Sequence, residues 1–436
     1  MAEGTVTGDD AAIPPEPEKL RIREILADPA VRTIIGCVFI VMLGYGIILP
    51  ILPLFARSFG VSRSATGFLI SSFAIARLVF DLVGGPIVDR YGERATAVAG
   101  ILFVAVTSVA TGLAPNFALA VLFRGIGGAG SAVLFSALFS YLLKVVPSDR
   151  MGRTLSVFYG SFNVGVIAGG PIGGFVAQRF GLRAPLHVYA ILLVVSGLLF
   201  WRYVKDPAPR ATGAEPRLTP EEVLAEREMP LLRRTRARMG ALLRRPGFIM
   251  VVVVNLAYLW MVGGFFDTLV PLFGAEEIGL NPAGIGVVFS VTLAMEFVVL
   301  FPAGALADRI GRKPVMVPAL AALAASMAVL GFAPGVIVFG AILAVVGLAS
   351  GFAGVPPAAM LSDVTPEEAS GTAIGMFRFA GDLGFVFGPL LGGWAAQTFG
   401  FEAAFAVSTL PILVALALVV RTPETLELRR ARQAGR

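Results

Sequence analysis

Twelve apolar runs, each about as long as a lipid bilayer's hydrocarbon core is thick, limit what this 436-residue chain can become. They lie at roughly 33–56, 67–88, 95–114, 118–142, 154–178, 183–203, 248–273, 284–307, 314–333, 336–361, 371–396 and 402–420. About 20 helical residues rising 1.5 Å each cross a core of about 30 Å, and a helix satisfies its own backbone inside lipid. The expected fold is therefore an all-α membrane protein of twelve transmembrane helices. Only 15% of the residues are charged and 56% are hydrophobic, with a mean hydropathy of +0.83, which is too apolar for a water-soluble globule. The 51 glycines suit helix bundles whose backbones approach closely.

The runs fall into two sets of six. Gly85-Pro86-Ile87-Val88-Asp89-Arg90-Tyr91-Gly92-Glu93-Arg94 returns 219 positions later as Gly304-Ala305-Leu306-Ala307-Asp308-Arg309-Ile310-Gly311-Arg312-Lys313. Each copy closes an apolar run with a small residue for close helix approach, an Asp-Arg pair at the water boundary, and a second glycine for a sharp turn. The same offset links Gly128 and Ser131 to Gly347 and Ser350, and Phe180-Gly181 to Phe399-Gly400, so one architecture occurs twice. The organisation expected is an N-terminal tail (1–31), a six-helix bundle (32–203), a linker (204–247), a second six-helix bundle (248–421) and a C-terminal tail (422–436).

Loop charge gives an orientation. Lys19, Arg21, Arg23 and Arg32, both hinge turns, Lys144, Arg150, Arg153, the linker and Arg429, Arg430, Arg432 and Arg436 all fall on one side. The other side is nearly free of basic residues, with Arg57, Arg63, Arg179 and Arg183 as exceptions. The positive-inside rule makes both termini and the linker cytoplasmic, in a cell membrane. The net charge of +6 then reflects topology and contact with anionic lipid rather than nucleic acid. Residues 1–31 show no secretory signal pattern. In the linker, Thr219-Pro220-Glu221-Glu222 forms a capping box. Beyond it, Leu231, Leu232, Thr235, Met239, Leu242 and Leu243 share a helical face opposite Arg233, Arg234, Arg236 and Arg238, so a basic amphipathic helix on the membrane surface is expected. Cys37 is the single cysteine, which excludes an intrachain disulfide and a thiolate metal cluster. His187, the single histidine, begins span 6 near the outer surface.

Twelve spans in two halves, a basic central linker and the hinge stretch Gly-x-x-x-Asp-Arg-x-Gly between the second and third spans of each half resemble the major facilitator superfamily of secondary transporters. The second copy has the full pattern, whereas the first carries Glu93 in place of a basic residue, leaving that hinge less positive. Leu43-Gly44-Tyr45-Gly46-Ile47-Ile48-Leu49-Pro50 resembles the first-span motif of the twelve-helix drug:proton antiporters. Arg124-Gly125-Ile126-Gly127-Gly128-Ala129-Gly130 resembles their fourth-span motif, with Gly127 replacing a glutamine. Gly165, Gly169-Gly170-Pro171 and Gly173-Gly174 approximate the fifth-span antiporter motif, and Gly384, Gly388-Pro389 and Gly392-Gly393 repeat it in span 11. The resemblance implies bundles that rock about a central cavity between spans 1, 4, 7 and 10, with Tyr45, Asn255, Tyr258, Trp260 and Phe265 as its candidate lining.

Charges within the apolar runs are expensive in lipid and are candidates for function. Arg77 and Asp81 in span 2, and Arg378 and Asp382 in span 11, are each spaced i,i+4 and so share a helix face. Because the family places spans 2 and 11 side by side, the four are expected to form a network across the joint, either as a structural lock or as a gate. Asp267 in span 7 and Glu296 in span 8 have no local basic partner, which makes them candidate proton carriers; Asp267 lies near the outer end, where either a mouth or a buried setting is open. Glu296 corresponds to Arg77 under the 219-residue offset. Arg124, a short way into span 4, is implied by the resemblance to tune a neighbouring carboxyl. No phosphate loop, metal spacing or nucleophile elbow is present, so an enzyme is not expected. The function expected is proton-coupled efflux of amphipathic drugs or metabolites by alternating access, by a monomer that needs no cofactor beyond the proton gradient. The alternatives are uptake or facilitated diffusion of a small polar solute, or lipid export.

Overall fold

The computed structural model describes residues 29–146, 148–205, 231–365, 370–425 and 427. Residues 1–28 of the expected tail, the capping box at Thr219 and Arg429, Arg430, Arg432 and Arg436 lie outside them, while residues 29–31 of that tail belong to the first helix. Helices α1 to α6 span Pro29–Arg57, Arg63–Tyr91, Glu93–Leu113, Phe117–Val145, Ser148–Phe180 and Ala184–Tyr203. Helices α7 to α10 span Pro246–Glu276, Pro282–Ile310, Arg312–Phe332 and Val336–Val364. Eleven described helices are long and apolar enough to cross a membrane, and the last, Thr372–Arg421, holds two spans. Gly400, with φ of +84°, breaks it into α11 (370–399) and α12 (401–421), which makes twelve.

Two helices that correspond under the offset begin at side-chain caps. The Ser62 side chain accepts from the Ala65 N–H at 3.2 Å at the start of α2, and Asn281, 219 positions on, accepts from the Gly284 N–H at 2.8 Å at the start of α8. The linker ends in a helix, Leu231–Leu243. In it Leu242 is buried while Met239 and Leu243 are exposed, so part of its apolar edge faces outward beside the bundle.

Within the first half, α2 packs on α4, α1 lies between α5 and α6, and α3 touches α4 and α6. Between halves, α2 meets α11 and α5 meets α8. These two seams obey the sequence offset atom for atom. Ser71 Oγ donates to the Val386 carbonyl at 2.6 Å, and Ser290 Oγ, its counterpart, donates to the Ile167 carbonyl at 2.7 Å. Gly67 presses on the Pro389 carbonyl as Gly286 presses on that of Gly170, so a Cβ at either glycine would overlap backbone.

The hinge turns mark one end of the molecule, called here the inner end. Gly92 and Gly311 have φ of +81° and +112°, which is why glycine ends α2 and α8. Gly85 does not serve as the close-approach residue expected of it: a Cβ there meets nothing within 4 Å, whereas one at Gly84 would meet Ser136 on α4. Asp89 and Arg90 are exposed, as are Asp308 and Arg309. Glu93, expected to leave the first hinge less positive, is instead buried and neutralised by Lys144, with Ser140 Oγ donating to it at 2.8 Å. Its counterpart Arg312 is buried against Asp308 and, at 3.6 Å, Asp363, the counterpart of Lys144. The same ion pair thus occurs in each half with its polarity reversed. Arg94 donates to the Trp201 carbonyl as Lys313 donates to that of Val420, tying each hinge to the end of its bundle's sixth helix.

At the opposite, outer end the halves are latched. Glu276 at the end of α7 accepts from Arg57 at 2.9 Å and Arg63 at 2.8 Å. The Arg63 guanidinium also donates to the Ala396 carbonyl at 3.0 Å and lies 4.1 Å from the Phe401 ring centre. Further inward on the α2–α11 seam Arg378 and Asp81 stand 3.9 Å apart.

Candidate functional site

Between the halves lies a cavity of about 560 Å³, lined from α1, α2, α4 and α5, with Val104 of α3 and Tyr189 and Leu193 of α6, on one side and from α7, α8, α10 and α11 on the other. Its shape depends on an irregularity in α7. Residues Met261–Leu269 form a π-helix, in which the Thr268 hydroxyl donates to the Gly263 carbonyl five residues back at 2.7 Å. Gly263-Gly264 packs directly on α11 at Phe385 and Gly388, and this close contact accompanies the widened turn. The turn aims Phe266 and Asp267 into the cavity. Phe265 points away and is fully buried against Phe405, 5.4 Å between ring centres. Phe265 and Trp260 are therefore corrected from candidate lining to packing residues, while Tyr45, Asn255 and Tyr258 do line the cavity.

The charged residues fall into two groups. On the α2–α11 seam, Arg77 pairs with Asp382 and Arg378 with Asp81, so the contacts join the halves rather than closing i,i+4 within each helix. The Arg77 guanidinium also lies 5.7 Å from the Phe385 ring centre. On the second half stand two carboxyls without a basic partner among the described residues. Asp267 is 3% exposed, which settles its place inside rather than at an outer mouth. Glu296 has a partner that spacing did not reveal: the Tyr258 hydroxyl donates to it at 2.7 Å. Tyr258 is held there by α10, since a Cβ at Gly354 would come within 2.8 Å of its hydroxyl.

Arg124 is buried on α4, 4.1 Å from the Phe73 ring centre, where its Nε has no hydrogen-bond partner among the described residues and no ion pair to a carboxyl is formed among them, contrary to the expected tuning role. His187 packs against Gly112, and Cys37 is buried with its thiol 3.6 Å from the Ser196 carbonyl; neither lines the cavity.

The first half contributes an aromatic wall that sequence reasoning missed. Phe135 and Phe139 on α4 and Tyr159 and Phe162 on α5 line the cavity with ring centres 6.4–6.5 Å apart between neighbours. Opposite them Phe266 and Phe289 stack at 4.3 Å beside Asp267. The i,i+4 spacing of Phe135 and Phe139 is the one signal that could have disclosed the wall. The arrangement can hold an amphipathic molecule against rings and place a positive group, or a proton, at two carboxyls.

A model of the Major Facilitator Superfamily matches residues 34–282 and 255–436. The quinolone resistance protein NorA of Staphylococcus aureus is 23% identical over 250 residues, which cover 57% of this chain and 60% of that protein's length. Multidrug resistance protein 2 of Bacillus subtilis is 23% identical over 82% of this chain and 86% of its own. Among solved structures, an inward-facing, unoccupied bacterial homologue of the human lysosomal transporter Spinster superposes with a TM-score of 0.75 at 14% identity, covering 93% of this chain and 98% of that one. The D-xylose–proton symporter superposes at 0.70, with 18% identity over 91% and 98% of the two chains.

Proposed function

Because the chain belongs to the Major Facilitator Superfamily, and so is a multi-pass membrane transporter handling small molecules, we propose that it exports amphipathic organic cations in exchange for protons. One observation carries this reading: Asp267 and Glu296 face a cavity lined by a dozen aromatic rings, with no basic side chain paired to either among the described residues. A cation and a proton would compete for these carboxyls, which is what exchange requires. The relatives' names, a quinolone resistance protein and a multidrug resistance protein, support export of drug-like molecules. The bundles at 32–203 and 248–421 rock about the site, with both termini and the linker cytoplasmic, in a cell membrane. The described conformation, latched at Glu276, is then open toward the cytoplasm. The chain works as a monomer, and its energy source is the proton gradient.

The test uses purified protein in liposomes holding an interior pH dye, with an imposed pH gradient and a panel of lipophilic cations. Cation-evoked proton movement that Glu296→Gln abolishes supports the reading. Gradient-independent uptake of a labelled solute without proton movement overturns it.

A further inference from the structure

The two seams are equivalent under the 219-residue offset, yet their polar sites differ. On the α2–α11 seam, Arg77 reaches across to Asp382. Carried through the offset, that contact becomes Glu296 on α8 facing Asn163 on α5. The serine staples show that the offset holds at this depth: Ser71 sits six residues before Arg77 and bonds Val386, four after Asp382, while Ser290 sits six before Glu296 and bonds Ile167, four after Asn163. Both Glu296 and Asn163 line the cavity. In the present conformation they are turned away from each other. Glu296 accepts from Tyr258 in its own half, and the Asn163 amide donates to the Tyr159 carbonyl of its own helix at 2.8 Å. One seam thus displays the joined form of a site whose unjoined form is seen on the other.

We infer that Asn163 is a positioning residue for transport, the partner that Glu296 takes up across the seam when the inner ends of α5 and α8 close. The inference rests on Glu296 being the coupling carboxyl. An amide suits the role because it donates to a carboxylate and accepts from a carboxylic acid, so it serves Glu296 in either protonation state. The other charged groups around the cavity, Arg77, Asp81, Arg378 and Asp382 on the opposite seam and Asp267 on α7, keep their own settings in this exchange. While a cation occupies Glu296 the substrate itself covers the carboxyl. Asn163 is needed in the return step, when the cavity is empty and an uncovered carboxyl would face an apolar seam.

Gradient-driven accumulation of radiolabelled ethidium in proteoliposomes, set beside exchange of labelled for unlabelled ethidium at equal pH, separates the two steps. Asn163→Leu is expected to slow gradient-driven turnover about tenfold, which corresponds to about 1.4 kcal/mol on the return barrier. KM and exchange stay within about twofold, and Asn163→Gln restores turnover. Unchanged gradient-driven turnover in Asn163→Leu overturns the inference, as does loss of exchange that Gln does not rescue, which would make Asn163 a packing residue. Gradient-driven transport surviving in Glu296→Gln would remove Glu296 as the coupling carboxyl and the inference with it, whereas absence of gradient-driven accumulation in the parent protein would sink the proton-coupled reading itself.

Discussion

At the scale of single residues, the charges inside the bundle are of two kinds: Arg77 with Asp382 and Arg378 with Asp81 are paired across the halves, whereas Asp267 and Glu296 have no basic partner among the described residues. Arg77 and Asp382 are part-buried and neutralise each other, so removing one leaves the other uncompensated. Arg77→Gln is expected to cost about 3 kcal/mol of stability, and the double variant Arg77→Gln/Asp382→Asn to recover most of it; thermal unfolding of the four purified proteins in detergent measures the cycle. The four charges were legible in the sequence, because charge in an apolar run stands out, but their pairing was not. Spacing of i,i+4 fits a bond within one helix as well as it fits two bonds between helices, and only the closeness of α2 and α11 decides. Tyr258 escaped notice as the partner of Glu296 for a related reason: a hydroxyl on one span announces nothing about a carboxyl 38 positions away. Tyr258→Phe removes the only hydrogen bond made to Glu296 among the described residues. Cation-evoked proton movement at a fixed inward gradient is expected to fall several-fold, with the folded fraction, read by size-exclusion chromatography, unchanged.

Helices show a second balance, between regular hydrogen bonding and close packing. The seams are built where Gly67 and Gly286 let one backbone rest on another. Gly67→Val and Gly286→Val overlap carbonyl groups that have no rotamer to change, so the helices themselves must part, at a cost of roughly 1–3 kcal/mol each. If the halves are mechanically equivalent, the two variants lower the unfolding temperature by similar amounts; a large difference would show that one seam carries most of the joint. The number and positions of the twelve helices were readable because length and apolarity are properties of the chain alone, but their ends were not: the fifth helix begins at Ser148, six residues before the apolar run at 154, because polar turns beyond the apolar run are helical too. The π-helix at Met261–Leu269 was not readable either. The counterparts Gly169 and Gly388 press on Leu43 and Ile47 and on Trp260 and Gly264, which are 217 positions apart, whereas the turn glycines Gly60 and Gly279 are 219 apart, so the repeat spacing shifts beyond Gly264, and the Gly263-Gly264 doublet was the local trace. Missing it exchanged Phe265 for Phe266 in the expected cavity, since a widened turn changes which side chains face inward.

Across the whole molecule, the conformation is a competition between two ends of one joint. Glu276 holds Arg57 and Arg63 at the outer end, while Arg378 and Asp81 stand 3.9 Å apart nearer the inner end. Exposed pairs are worth up to about 1 kcal/mol each, so losing two shifts the balance between states on the order of tenfold. Glu276→Lys is expected to open the outer end. A cysteine at Leu49, in a Cys37→Ser background, would then react about tenfold faster with an impermeant maleimide added from the outer side; unchanged labelling would mean that the latch contributes nothing to the equilibrium.

Arg57 and Glu276 are also each other's counterparts under the repeat, so their bond lies where the relation between the halves maps a position onto its own equivalent. In a symmetric homodimer made from two copies of either half, that place would bring Arg57 to Arg57 or Glu276 to Glu276, and the latch would become a repulsion. With the halves joined in one polypeptide, the two positions carry opposite charges. The outer closure is accordingly a property that only the fused, diverged chain possesses, and no assembly of identical halves reproduces it.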